Sequence, residues 1–568
     1  LPEKALGFRV QAYGIVKHRD LFTPRQLLAL TTFSDLAREA RMRVHADACA
    51  VMNDDGLRLT DGGRGVTAYA DAVATYLAFG LDKNTLTNTT LATWQSNPDR
   101  LTQAFSRHAM PMTWDFAEAN PLSEAGGGFV LTLQSLAEVL ERLPVAKRES
   151  TVEQLDARST ESRWRRSVVF TDPPYYDNIG YADLSDYFYV WQRRTLRDVW
   201  PSLTSTLLVP KSQELIASQF RHEGDSERAR KYFEDGMRSV FRGLSHLQAS
   251  EFPINVIYAF KQSEEASDMG DFASTGWETM LDGFVNEGFQ ITGTWPIRSE
   301  LVANLKKSIS ALASSIVICG RLRNRDAPIA SRREFILALK SELPEALRHL
   351  QHSSVAAVDL AQAAIGPGMA VFSRYAKVIE ADGSQMRVRS ALQLINQALD
   401  EVLSEQETEY DADTQWAVAW FTDQGMAEGA FGIAETLSKA KNTSVDGLVE
   451  SGLLSAAKGK VRLIPREQLD TEWDPTTDRR LTIWEVAQHL IARLKSAGEQ
   501  SAADLLRRVG GMGEIARDLA YRLYSVCERK GWTEEAIAYN SLVVAWPEIT
   551  RLASQAPSAR QGEQMSLG

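Results

Sequence analysis

Apolar residues recur at helical spacing over long stretches of this chain and at strand spacing over a few short ones. After Thr23-Pro24, the run RQLLALTTFSDLAREA sets apolar residues three and four apart, with proline at the first helical position. Val66 to Phe79, VTAYADAVATYLAF, predicts a second helix whose Tyr69, Tyr76 and Phe79 fall at core spacing. Turns are predicted between them at Asn53-Asp54-Asp55-Gly56 and Asp61-Gly62-Gly63. Thr151 to Leu155 alternates weakly and ends at Asp156-Ala157, as a short strand would. Val168-Val169-Phe170 has the length and β-branched character of a buried strand. Leu184, Tyr187, Phe188 and Trp191 then return at helical spacing, predicting a helix with an aromatic core face.

From residue 254 the order of segments is informative. Ile254 to Phe260 predicts a buried strand. Thr275-Gly276-Trp277-Glu278 has capping-box spacing and opens a helix striped by Trp277, Met280, Leu281, Phe284 and Val285, with Gly288 suited to its end. Phe289, Ile291 and Trp295 alternate as a half-buried strand does, and Ser314 to Gly320 is a last apolar strand. Arg332 to Leu350 and Gln385 to Leu403 are amphipathic, and the acidic run Glu405 to Asp413 predicts a solvated linker or a helix end. Phe431 to Ile464 predicts two short helices and a hairpin around Lys458-Gly459-Lys460. That is the outline of a winged-helix module, and equally of plain scaffold. If it grips a duplex, Lys439, Lys441, Lys458, Lys460 and Arg462 are its candidates. Gly510-Gly511-Met512-Gly513 follows no strand and predicts a helix break rather than a phosphate loop. The polar tail from Ala556 predicts disorder.

A chain of 568 residues predicts several domains, about three or four. No apolar run is long enough to span a bilayer, and the N-terminus lacks the regions of a signal peptide. Cys49, Cys319 and Cys527 are scattered, so neither a disulfide framework nor a metal site is expected, in keeping with a reduced, cytoplasmic protein without membrane contact. A net charge of −11 argues against a surface coated in basic residues but leaves room for a local groove. Arg163, Arg165 and Arg166, then Arg193 and Arg194, then Arg321, Arg323, Arg325, Arg332 and Arg333 form clusters that are phosphate contacts or simply solvated faces.

Asp172-Pro173-Pro174-Tyr175 carries the clearest chemistry. Prolines cannot donate ladder hydrogen bonds, so strand pairing must stop there, at the carboxyl end where open α/β sheets bind ligands. An acid, rigid prolines and an aromatic at that place suit a flat ring bearing an amine. Such an amine is a poor nucleophile because its lone pair is delocalised. The Asp172 carboxylate and the Pro173 carbonyl are two fixed acceptors that would draw the nitrogen toward tetrahedral geometry. Tyr175 would stack on the ring, as pockets for extruded bases require. Tyr176, Asp177, Asn178 and Tyr181, between motif and helix, are placed to face a substrate.

These residues resemble a known group. Asp-Pro-Pro-Tyr after an apolar strand is the motif of amino-methyltransferases, and DPPYYDNIGYADLSDYFYVWQRR is similar to the large adenine-specific DNA methylases that carry a domain of unknown function. The resemblance implies an α/β fold: a partial doubly wound, Rossmann-like methyltransferase core at 148–323, closed by an antiparallel hairpin, with large helical regions before and after it. These are a helical region at 1–147, a connector at 324–425 and a C-terminal region at 426–568 with the winged-helix outline at 431–464. It implies S-adenosyl-L-methionine as cofactor, with Asp156 and Ala157 at the cofactor's adenine, and double-stranded DNA as partner, the target being adenine N6 in a flipped-out base. Cytosine N4, RNA bases and protein amides suit the same acceptors. Met110 to Phe129, MPMTWDFAEANPLSEAGGGF, is a signature stretch of that group; it is expected to be a loop that either packs or lines a pocket. The group's glycine-rich cofactor loop and zinc-ribbon cysteines are not found upstream of Asp172, and are expected in a segment preceding Leu1. From another class, the alternative is a DNA-binding or assembly subunit of a genome-defence system, acting with other subunits.

Overall fold

The computed structural model describes the chain except residues 6, 98, 106–107, 145–149, 160–163, 177–178, 259–274, 299–313, 354 and 556–568, and the side chains of 275, 277, 298 and 314. The expected polar tail lies outside the described residues. The protein is mixed α/β, mostly helical with small sheets. It divides into two compact units, Leu1–Ser159 with Pro174–Val240, and Thr160–Pro173 with Phe241–Gly568.

The first unit holds α1 (Pro24–Ala48), α2 (Val66–Thr85), the small pair β1 (Trp94–Ser96) and β2 (Asp99–Leu101), α3 (Phe129–Arg142), α4 (Tyr181–Leu196) and the start of α5 (Ser226–Leu247). Helix α1 begins in a reciprocal capping box: Gln26 N donates to Thr23 Oγ1, and Thr23 N donates to Gln26 Oε1 at 2.9 Å. Helix α2 corrects its expectation. Tyr69, Tyr76 and Phe79 are exposed, while Ala68, Ala70, Ala74, Ala78 and Leu81 are buried. Ala74 and Ala78 pack against Leu196, Val199 and Trp200, so the small residues of α2 meet their neighbours and the aromatics face outward. Helix α4 forms as predicted, and Tyr187 and Trp191 join Phe22, Leu30 and Phe33 in the core. Residues 151–156 form no strand; Val152 is exposed, and the weak alternation finds no neighbouring strand to pair with.

The second unit contains a four-stranded sheet made of β3 (Phe170–Thr171), β4 (Ile254–Tyr258), β5 (Phe289–Arg298) and β6 (Ser314–Leu322), in the order β3-β4-β6-β5. Strand β3 runs parallel to β4, pairing Phe170 with Asn255 and Thr171 with Val256, whereas β6 is antiparallel to both its neighbours. Helix α6 (Thr275–Asn286) buries Met280, Leu281, Phe284 and Val285, and Gly288, at φ +92°, turns the chain at its end. The predicted burial of Val168 and Phe170 is corrected: they are 57% and 65% exposed, because β3 is an outer strand. Trp295 is corrected too. A bulge between Ile291 and Gly293 shifts the register, so Phe289 and Ile291 point inward while Trp295 emerges 66% exposed.

Beyond the sheet lie β7 (Ile329–Ser331), α7 (Arg332–His352), α8 (Ala357–Ser373), β8 (Lys377–Ile379) and α9 (Val388–Glu405), with both predicted amphipathic stretches helical. Helix α8 rests on β5 through Gly366, where any Cβ would collide with Thr294. Next come α10 (Ala412–Gln424), β9 (Gly429–Ala430), α11 (Phe431–Ala440), α12 (Val445–Glu450), β10 (Leu454–Ala457) and β11 (Lys460–Leu463), the strands ordered β10-β11-β9. The indoles of Trp416 and Trp420, fully buried one turn apart on α10, stack at 5.1 Å and 12°. The acidic run is a helix end, as expected, but is only partly solvated. Asp411 caps α10 by accepting from Thr414 N at 2.7 Å, and buried Asp413 pairs with Arg480 at 2.6 Å. Helices α13 (Ile483–Val509), α14 (Met512–Lys530) and α15 (Thr533–Ser554) pack on one another, with the predicted break at Gly510.

Candidate functional site

The end of β3 is fixed mainly by main-chain bonds. Ser167 N donates to Leu247 O at 3.0 Å, Ala249 N to Ser167 O at 2.9 Å, and Asn255 N to Val169 O at 3.0 Å. Val169 N donates to the Gln248 side chain at 3.1 Å, and Gln248 Nε2 holds Ala249 O and Phe252 O, each at 2.9 Å. Pairing ends at Thr171, where the two prolines begin to approach. Asp172 follows directly, exposed, and Pro173 is buried. Because β3 and β4 are parallel, Asp172 stands at the carboxyl end that both strands share.

Pro174 to Tyr181 belong to the first unit. Pro174, Tyr175 and Tyr176 are half-buried. Tyr176 takes a left-handed conformation, φ +44°, its N–H donating to Pro174 O at 3.2 Å and its carbonyl accepting from Ala217 N at 2.9 Å. Its ring stands edge-on to Phe233 at 5.3 Å, so this side chain is set in packing. A strained non-glycine turn of this kind marks a constrained site. Tyr181 is exposed at the first position of α4, and Asp177 and Asn178 lie outside the described residues.

Behind this turn is an ion-pair network that the sequence reading missed. Arg221 bridges Asp183 at 2.8 Å and Glu214 at 2.5 Å; Glu214 also accepts from Ala182 N at 3.0 Å. Lys211 meets the fully buried Asp186 at 2.6 Å. The available signal was two acids, Asp183 and Asp186, one turn apart on a helix otherwise aromatic.

Asp156 lies in the first unit, its carboxylate gripped by Arg158 with Nε–Oδ1 at 3.0 Å and Nη2–Oδ2 at 2.6 Å. Those bonds hold its carboxyl below the usual carboxylate range. Ala157 lies in the same turn.

Several of the arginines proposed for phosphates have protein partners. Arg166 pairs with Glu251 at 2.8 Å, Arg194 with Asp35 at 2.9 Å and Arg332 with Glu380 at 3.0 Å; Arg163 lies outside the described residues. Arg323 donates to Tyr375 O at 2.6 Å and Val285 O at 2.5 Å, beside a cavity of about 410 Å³. On α11 Lys439 pairs with Glu435 at 3.0 Å, and at the hairpin Lys460 pairs with Glu428 at 3.1 Å, while α12 shows exposed Asp446 and Glu450.

The stretch from Met110 to Phe129 is a loop, as expected. It is tied down where Ala117 N donates to Ala92 O at 2.9 Å and Phe129 N to Pro121 O at 2.8 Å. The Gly127 carbonyl, at φ +96°, accepts from Asn84 Nδ2 at 2.8 Å and Asn88 Nδ2 at 3.1 Å. The loop both packs and lines a cavity, of about 210 Å³, together with the start of α1.

Among the described residues no group of three or more His, Cys, Asp or Glu is arranged to hold a metal ion, and no helix is long and apolar enough to cross a membrane. Residues 411–567 match a family described as a domain of unknown function (DUF8807), which begins at the cap of α10 and takes in the three-stranded sheet and α13–α15. No curated protein and no solved structure matches the chain.

Proposed function

We propose that the protein is an S-adenosylmethionine-dependent methyltransferase acting on the N6 amine of adenine in DNA. One observation carries the reading. Asp172 is exposed directly after β3, at the carboxyl end shared with a parallel neighbour, in a sheet whose β5 and β6 form an antiparallel pair. This is the place and the kind of sheet that the resemblance to adenine-specific methylases leads one to expect. In this reading the Asp172 carboxylate accepts one amine N–H and the Pro173 carbonyl the other, localising the nitrogen lone pair. Asp172 then balances the charge on nitrogen when it gains a fourth substituent, and takes or relays the proton it sheds. Tyr175 supplies the ring face. In the same reading Asp156 and Ala157 would meet the cofactor's adenine, the Asp156 carboxylate keeping lone pairs beyond those that bind Arg158.

The test is to incubate the full-length protein with DNA and cofactor and to digest the DNA to nucleosides. N6-methyldeoxyadenosine is expected. N4-methyldeoxycytidine, or a methyl group on RNA or a protein amide, would reassign the substrate; no methylated product would remove the reading. A second reading, a DNA-binding or assembly subunit of a genome-defence system, draws on α10–α12 with β9–β11, whose order follows the winged-helix outline. Calorimetry separates the two, since binding of S-adenosylmethionine by this chain favours the enzyme.

A further inference from the structure

Helix α4 begins at a glycine that cannot cap it. Gly180 sits at the N-cap position without a side chain, and the first intrahelical bond runs from Leu184 N to Gly180 O at 3.2 Å. The amide of Ala182, at the second helical position, has no acceptor within the helix. Asp183, at the third, could reach back to the cap, but its carboxylate is turned to Arg221 Nη2 at 2.8 Å. The acceptor comes from 32 residues away: Ala182 N donates to Glu214 Oε1 at 3.0 Å. The other Glu214 oxygen lies 2.5 Å from Arg221 Nη1, so one guanidinium spans both acids.

The same short segment also holds the motif turn, where Ala217 N donates to Tyr176 O at 2.9 Å. Glu214 and Ala217 therefore bind main-chain groups of Tyr176 and Ala182, the chain neighbours of Tyr175 and Tyr181. The segment has a footing of its own. Leu215 and Ile216 are buried, and a Cβ on Gly236 of α5 would collide with Leu215. Asp186 accepts from Val209 N at 2.8 Å and Lys211 Nζ at 2.6 Å, and Arg221 Nη1 donates to Lys211 O at 3.1 Å. The side chains of Asp183, Glu214 and Arg221 are only 10%, 14% and 18% exposed. Taking such charges out of water is costly, and apolar side chains would hold a helix as firmly. What a forked guanidinium adds is a fixed direction.

We propose that Glu214 and Arg221 are positioning residues for the methyltransferase reading, on which this inference rests. They fix the 214–217 segment, and with it the main chain that carries Tyr175 and Tyr181, the side chains that would meet the target base. They act through those tyrosines, so they govern the DNA side of the reaction and not the cofactor side.

Two variants of the full-length protein test the role. Glu214→Gln has one oxygen for two donors, and Arg221→Lys keeps the charge but lacks the fork that spans two acids. Each should stay folded, exchange the Ala182 amide proton faster than wild type, and raise the KM for DNA about 10-fold, the scale of one base–aromatic stack. The KM for S-adenosylmethionine should not move. A shift in both KM values, or in neither, would overturn the positioning role while leaving the methyltransferase reading in place. The wild-type chain supplies a check that needs no variant. An amide at the second helical position exchanges slowly only if a group outside the helix accepts from it, so free-amide exchange at Ala182 would also overturn the role. A wild-type chain that transfers no methyl group would remove the reading itself, and the role with it.

Discussion

Asp172 is exposed, and the proposed chemistry rests on its carboxylate. Asp172→Ala should therefore lower methyl transfer by at least about 100-fold, the scale seen when one preorganised hydrogen-bonding group is lost, and leave the thermal transition in place. A rate close to wild type, measured by product nucleoside, would sink the assignment. A second prediction concerns Glu485, whose carboxyl burial pushes up to about 8 although it accepts from both Thr482 N–H and Thr482 Oγ1. Its proton is retained in the fold and lost in the unfolded chain, so its contribution is complete below about 4.5 and fades as pH rises toward 8. Melting temperature should fall over that window, and Glu485→Gln should flatten the slope. The motif at Asp172 was legible because its residue types state their chemistry. The network of Arg221 with Asp183 and Glu214 was not, because an ion pair between distant positions exists only once the segments that carry it have come together.

Elements show the same division. The helices α1, α4, α7 and α9 and the strands β4 to β6 were visible in apolar spacing, because each keeps one face against a core. What spacing does not carry is what lies opposite. Helix α2 buries alanines and exposes tyrosines, since close helix approach rewards small side chains. One inserted residue in β5 turned Trp295 outward, and β3 is outer and not central, so Val168 and Phe170 stay uncovered. Close approach also governs α8 and β5. Gly366→Val should separate them and destabilise the second unit by about 1–3 kcal/mol in denaturant titration, the usual cost of overpacking. Thr23→Ala removes half of the α1 capping box and should cost about 1 kcal/mol.

At the scale of the whole molecule, a net charge of −11 and ion pairs such as Arg166–Glu251, Arg194–Asp35 and Arg332–Glu380 argue for a local rather than a general basic surface for a duplex. DNA binding, if carried by the β10–β11 hairpin, rests on residues such as Lys458 at its exposed tip. Lys458→Glu should then reduce the slope of log affinity against log salt by about 1, and an unchanged slope would exclude that hairpin from the phosphates. The parallel indoles of Trp416 and Trp420 give the matched C-terminal segment an optical signature of its own. Two chromophores locked that closely couple their transitions, so a near-ultraviolet dichroism band should report side-chain order there. In a loosened, still helical state that band would fade while the far-ultraviolet signal persists.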